Sequence, residues 1–167
     1  MIHLILWMLL LLCALASLSL IFKVVGATVG THYNIAFLIY SFAFFQLGLP
    51  GVMLVVLVSN ILEWVWHKYP WYIQSFNIGQ YLIALTGMNL VFNTLNPGFI
   101  LVGWTNILAA IAGMITFTLL NHFLVGMVLW FVRQESLAKS GVMAIFPLVL
   151  DFTFWVIGAS AALIWNI

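Results

Sequence analysis

Charge is what this sequence has least of. Its 167 residues include four Lys or Arg and three Asp or Glu, 4% in all, where a soluble domain carries roughly 25%. They are Lys23, Lys68, Arg133, Lys139, Glu63, Glu135 and Asp151. So few charges cannot solvate the surface of a globule of this size, which excludes a water-soluble domain. The net charge of +1 excludes the basic patch that nucleic acid requires. A single cysteine, Cys13, excludes an intramolecular disulfide framework and any CxxC metal or redox site. No stretch is polar enough to make a soluble catalytic domain, a linker or a disordered tail.

Apolar residues fill the space: 66% of the chain is hydrophobic. A membrane-crossing helix needs about 20 mostly apolar residues. On that ruler the expected fold is all-α, a polytopic transmembrane helical bundle forming one integral membrane domain over 1–167. About six spans are expected, with five and seven as the alternatives: 2–24, 34–48, 51–66, 74–95, 103–132 and 142–165. The first lacks the basic start of a signal peptide and its apolar run is too long for one, so it reads as a retained helix. A glycine- and threonine-rich loop follows at 26–31. The break Gly48-Leu49-Pro50-Gly51 divides the long apolar run after it, because proline removes a backbone donor and glycine tolerates turn geometry. Asn96-Pro97-Gly98 ends the fourth span. The run 99–132 reads as one long helix after a short interfacial segment, with two helices broken near Gly113 as the alternative.

With six spans, Lys23, Lys68, Arg133 and Lys139 all fall on one side, and the opposite loops carry no Lys or Arg. The positive-inside rule makes that side cytoplasmic and puts both termini outside. Trp7, Trp64, Trp66, Trp71, Trp104, Trp130 and Trp165 fall near span ends, where an aromatic belt accounts for them without a pigment or quinone. Small residues at Ala109, Ala112, Gly113, Gly158 and Ala162 suit close helix packing.

The stretch Lys68-Tyr69-Pro70-Trp71-Tyr72, followed by Ser75-Phe76-Asn77-Ile78-Gly79-Gln80-Tyr81, resembles the multi-pass membrane regions that precede HD-GYP or GGDEF domains in bacterial signalling proteins. The break at Gly48–Gly51 and the later Leu119-Leu120-Asn121-His122-Phe123-Leu124-Val125 are similar too. The resemblance covers roughly Asn34 onward and implies a bacterial inner-membrane sensor. Such regions continue into another span and a cytoplasmic enzymatic domain. This sequence ends at Ile167 without either, so cyclic-dinucleotide chemistry is not expected of it. A weaker similarity is to the substrate-binding subunits of energy-coupling-factor transporters, whose termini are cytoplasmic, opposite to the charge pattern here.

Ionisable and amide groups within spans are the functional candidates. Asp151, about nine residues into the last span and one turn after Pro147, has no conspicuous partner in the sequence. Pro147 is expected to free a carbonyl near Met143, kink the helix and open a polar pocket. Asn77, Gln80, Asn121 and Asp151 are the expected ligand-pocket residues; the alternative for Asp151 is a hydrogen bond to a neighbouring helix. Asn60, Glu63, Asn89, Asn93 and His122 are expected as interhelical polar contacts, with Glu63 close enough to a loop to reach the headgroups instead. His3, His32 and His67 lie near span ends and cannot join His122 at a bilayer-central haem. No HExxH, Ser/His/Asp order, glycine-rich phosphate loop or carboxylate pair appears, so no enzyme, metal or cofactor is expected. A bound lipid or small apolar ligand fits. The expected function is a non-catalytic sensor-like or small-ligand-binding membrane module without its own output domain. The alternatives are an accessory subunit among other membrane proteins, then a solute-binding transport component.

Overall fold

A computed structural model describes residues 2–22, 24–25, 32–33, 35–97, 104–134, 136 and 139–165. Five helices carry the fold: α1 (Ile2–Ile21), α2 (Ala36–His67), α3 (Trp71–Leu95), α4 (Trp104–Arg133) and α5 (Ile145–Trp165). Between α1 and α2, β1 (Val24–Val25) and β2 (His32–Tyr33) pair antiparallel, flanking the segment read as loop. The fold is all-α apart from this short pair. The expected interfacial segment and the residues Lys23 and Glu135 lie outside the described residues.

Among the described residues, four helices are long and apolar enough to cross a membrane, over His3–Ile21, Ala36–His67, Asn106–Arg133 and Ile145–Trp165. Six spans were expected, and two causes account for the difference. α3 has 25 residues, about 38 Å of helix, but Gln74, Asn77, Gln80, Asn89 and Asn93 dilute its apolar character. The expected spans 34–48 and 51–66 both lie in the one stretch α2, whose two helical arms meet at Gly48. That stretch is not straight. Gly48 has φ 69° and ψ −174°, a conformation open only to glycine. Tyr40 and Ser59, which about 28 Å would separate on a straight helix, bring their hydroxyls within 2.9 Å. The chain therefore folds back at Gly48, and arms 36–47 and 49–67 pack on each other. Lys68, left-handed at φ 55°, closes the second arm by donating its N–H to the Trp64 carbonyl at 2.8 Å. α4 runs unbroken, so the alternative break at Gly113 does not occur.

The described residues fall into two compact units: Met1–Gly79 with Phe154–Ile167, and Gln80–Thr153. In the first, α1 packs on α2 through Leu12, Cys13, Ala16, Ser17 and Leu20, all buried. These positions make one helical stripe. Leu4, Trp7, Leu11, Leu15 and Leu18 point outward; such a surface suits acyl chains and not water. The first arm of α2 is the most enclosed part, with Tyr40, Ala43 and Phe44 fully buried. Gly158 of α5 lies against it so closely that a Cβ would collide with the Leu38 carbonyl and come within 2.7 Å of the Ser41 Cβ. That approach lets Ser41 donate to the Trp155 carbonyl at 2.6 Å and Gln46 to that of Ala162 at 2.7 Å.

In the second unit α3 and α4 lie side by side around Leu85, Met88, Phe92, Met114 and Phe117, all buried. A Cβ on Gly113 would sit 3.3 Å from the Met88 carbonyl, and one on Gly87 would meet Leu120 and Thr116. These contacts make α3 and α4 antiparallel. Carried along both helices, the register sets Gln80 within about one turn of the level of Asn121.

Candidate functional site

Four of the polar residues of Gln80–Thr153, namely Gln80, Asn121, His122 and Asp151, lie about this level. Asn121 and His122 are adjacent on α4 and, although successive side chains diverge by about 100°, both are buried. The His122 ring spans two acceptors. Its Nδ1 lies 2.6 Å from the Val142 carbonyl oxygen and its Nε2 lies 2.8 Å from Asp151 Oδ2. The Val142 carbonyl is free to accept because α5 begins only at Ile145, three residues later than expected. Pro147 consequently falls in the first turn of α5, where a missing N–H disturbs no helical bond. The pocket beside Asp151 therefore needs no proline kink. Asp151 is six residues into the helix, nearer its start than the sequence suggested, and its partner is His122.

Gln80 and Asn121 differ from this satisfied pair. They are 6% and 5% exposed, and Gln80 Oε1 and Asn121 Oδ1 are buried without a hydrogen-bond partner. A buried acceptor left unpaired costs about 1–3 kcal/mol, so two at one level call for a donor. Beginning about one turn before His122 on α4 and bracketing Asp151 on α5 is an apolar groove of about 230 Å³, lined by Ile115, Thr118, Leu119, Leu148, Val149 and Phe152. Thr118 gives its hydroxyl to the Met114 carbonyl at 3.0 Å and presents its methyl face. Among the described residues no group of three or more His, Cys, Asp or Glu converges as a metal site.

The other candidates lie elsewhere. Asn77 is half-buried on α3 in the first unit. Asn89 and Asn93, expected between helices, bond along α3, with Asn93 Nδ2 donating to Asn89 Oδ1 at 3.1 Å on an exposed face. Asn60 and Glu63 belong to a second polar cluster in the first unit. Glu63, which the sequence let reach the headgroups, is buried at 3% exposure. The residue that gathers this cluster is Gln74, whose Nε2 faces the Asn60 carbonyl at 2.7 Å, Asn60 Oδ1 at 3.2 Å and Glu63 Oε2 at 3.4 Å. Asn60 in turn donates to the Val56 carbonyl at 2.9 Å and lies 3.4 Å from the Tyr40 hydroxyl. Sequence reasoning missed Gln74 and Tyr40. The spacing of Asn60 and Glu63 marks one helix face, but the folding-back at Gly48 that delivers Tyr40 has no periodic signature.

Compared with known families, curated proteins and solved structures, the chain matches none.

Proposed function

We propose that this chain is a non-catalytic, multi-pass membrane module that binds a small amphiphile within Gln80–Thr153. The observation that carries the reading is the pair of buried, unpartnered amide oxygens on Gln80 and Asn121. A ligand head bearing N–H or O–H groups would satisfy them, and an apolar body would occupy the groove between Ile115 and Phe152. The resemblance of the Lys68–Tyr81 stretch to membrane sensor regions supports the same reading. The accompanying topology has six passes, counting both arms of α2 and α3, with Lys23, Lys68, Arg133 and Lys139 cytoplasmic. The reversal at Gly48 supports it.

Native mass spectrometry of the full chain, gently extracted from its source membrane, tests the binding. A small mass retained in stoichiometric amount is expected. Asn121→Leu removes an acceptor of similar volume and should lower its retention at least about fivefold, the worth of one hydrogen bond. The same substitution should raise the stability of the ligand-free protein by about 1 kcal/mol, because the orphaned oxygen disappears. Retention unchanged in Asn121→Leu and Gln80→Leu would overturn the site. Stoichiometric protein partners in place of a small mass would make the chain an accessory subunit instead.

A further inference from the structure

We infer that His122 and Asp151 form a one-proton binding site whose proton holds the turn containing Val142 against α4. The inference stands on the two contacts of the imidazole ring and is independent of the ligand reading. A neutral imidazole carries a single N–H, yet both ring nitrogens face acceptors, a backbone carbonyl at 2.6 Å and a carboxyl oxygen at 2.8 Å. The carbonyl has no proton to give, so Nδ1 must be the donor there. The hydrogen between Nε2 and Oδ2 is then a second one. It resides either on the ring, facing a carboxylate, or on Asp151 as a carboxylic acid donating to Nε2. In both forms the closed arrangement holds one proton more than a neutral histidine beside a carboxylate.

Loss of that proton to water leaves one hydrogen for two acceptors. A bond to an ionised carboxylate is roughly twice as strong as one to a neutral carbonyl. The remaining N–H therefore settles on Nε2 towards Asp151, and the bare Nδ1 faces the Val142 carbonyl, lone pair to lone pair. That contact opens. The proton thus tethers Val142, and the tether is present at low pH and released as pH rises. The other titratable residues of Gln80–Thr153 are Tyr81 on α3, Arg133 at the end of α4, and Glu135 and Lys139 after it. Arg133 is eleven residues along α4 from His122, about 16 Å. On α5 the only ionisable group among 145–153 is Asp151 itself.

The experiment places a spin label at Met143→Cys, in a Cys13→Ala background, on the full chain in lipid nanodiscs. Label mobility is followed from about pH 4 to about pH 10, bracketing the ordinary histidine and carboxyl ranges. The expected result is an ordered label at low pH and a mobile one at high pH, with a one-proton transition. Asp151→Asn should abolish the transition and keep the label ordered throughout, because the amide N–H can donate to Nε2 while Nδ1–H keeps Val142. Flat mobility in the parent, or the same transition in Asp151→Asn, would overturn the inference. Should Asp151→Asn not fold, nitrogen-15 NMR of His122 in the unlabelled parent decides. A protonated Nδ1 at low pH that is lost at high pH supports the site, and a bare Nδ1 at low pH sinks it.

Discussion

Single residues show most clearly where burial turns chemistry into structure. Gln74 is 1% exposed and offers one amide N–H pair to three oxygens of Asn60 and Glu63. In a low-dielectric interior such donors hold carboxylates and amides in place. Gln74→Leu fills the same space and removes the donor, so unfolding in detergent should show a loss of about 1–3 kcal/mol. That is the opposite sign to Asn121→Leu, although both replace a buried amide by leucine. The difference is partnership: Gln74 Oε1 is as unpaired as Asn121 Oδ1, but Gln74 Nε2 also serves acceptors that a leucine would orphan. Which sign applies is invisible in the sequence, where the two are alike as polar residues within apolar runs. Asp151 teaches the same point. Its position marked it as a candidate, but its partner came from a helix twenty-nine residues away, and no local pattern pairs the two.

At the scale of elements, α2 is the instructive case. Gly48-Leu49-Pro50-Gly51 was legible as a break because proline and glycine act on the backbone locally. Two helical arms meet at Gly48, whose φ of 69° turns the second arm back on the first. A Cβ at Gly48 would meet nothing closer than Pro50 Cδ at 3.9 Å, so space does not forbid a side chain there; conformation does. Gly48→Ala should therefore destabilise the chain by about 1–3 kcal/mol through backbone strain alone. Its thermal midpoint in detergent should fall, with helix content by circular dichroism retained below the transition. An unchanged midpoint would mean that the reversal does not need a left-handed residue. α3 is long enough to span a bilayer, and the amides that make it less apolar are what bring polar groups to Asn60, Glu63 and Asn121's level.

For the whole molecule, the prediction is one of sidedness. In a Cys13→Ala background, single cysteines at Phe22, His67, Pro97 and Lys139 report on it through an impermeant maleimide applied to intact cells. Six passes with basic residues inside require Pro97→Cys to be labelled and the other three to be protected. Phe22→Cys and His67→Cys on opposite sides would make α2 a single crossing. His67→Cys and Pro97→Cys on one side would remove α3 from the membrane. The tryptophans fit a molecule bathed in lipid: Trp7, Trp66, Trp71, Trp130 and Trp165 are exposed near helix ends, and Trp155, the one not assigned to an aromatic belt, is fully buried.

What the sequence determined by itself was the solvent. With 4% charge and 66% hydrophobic residues, the composition alone settles helices in an apolar medium, because each helix satisfies its own backbone within one segment. The helix breaks at Gly48, Lys68 and Asn96-Pro97 were legible for the same reason, being local. Only the tertiary structure decided which polar groups find partners. His122 reaches Asp151 and Val142, Gln74 reaches Asn60 and Glu63, and Gln80 and Asn121 keep oxygens unpaired. Those outcomes depend on register between segments distant in sequence, and in a nearly uniform apolar pattern there is no second periodicity from which register can be read.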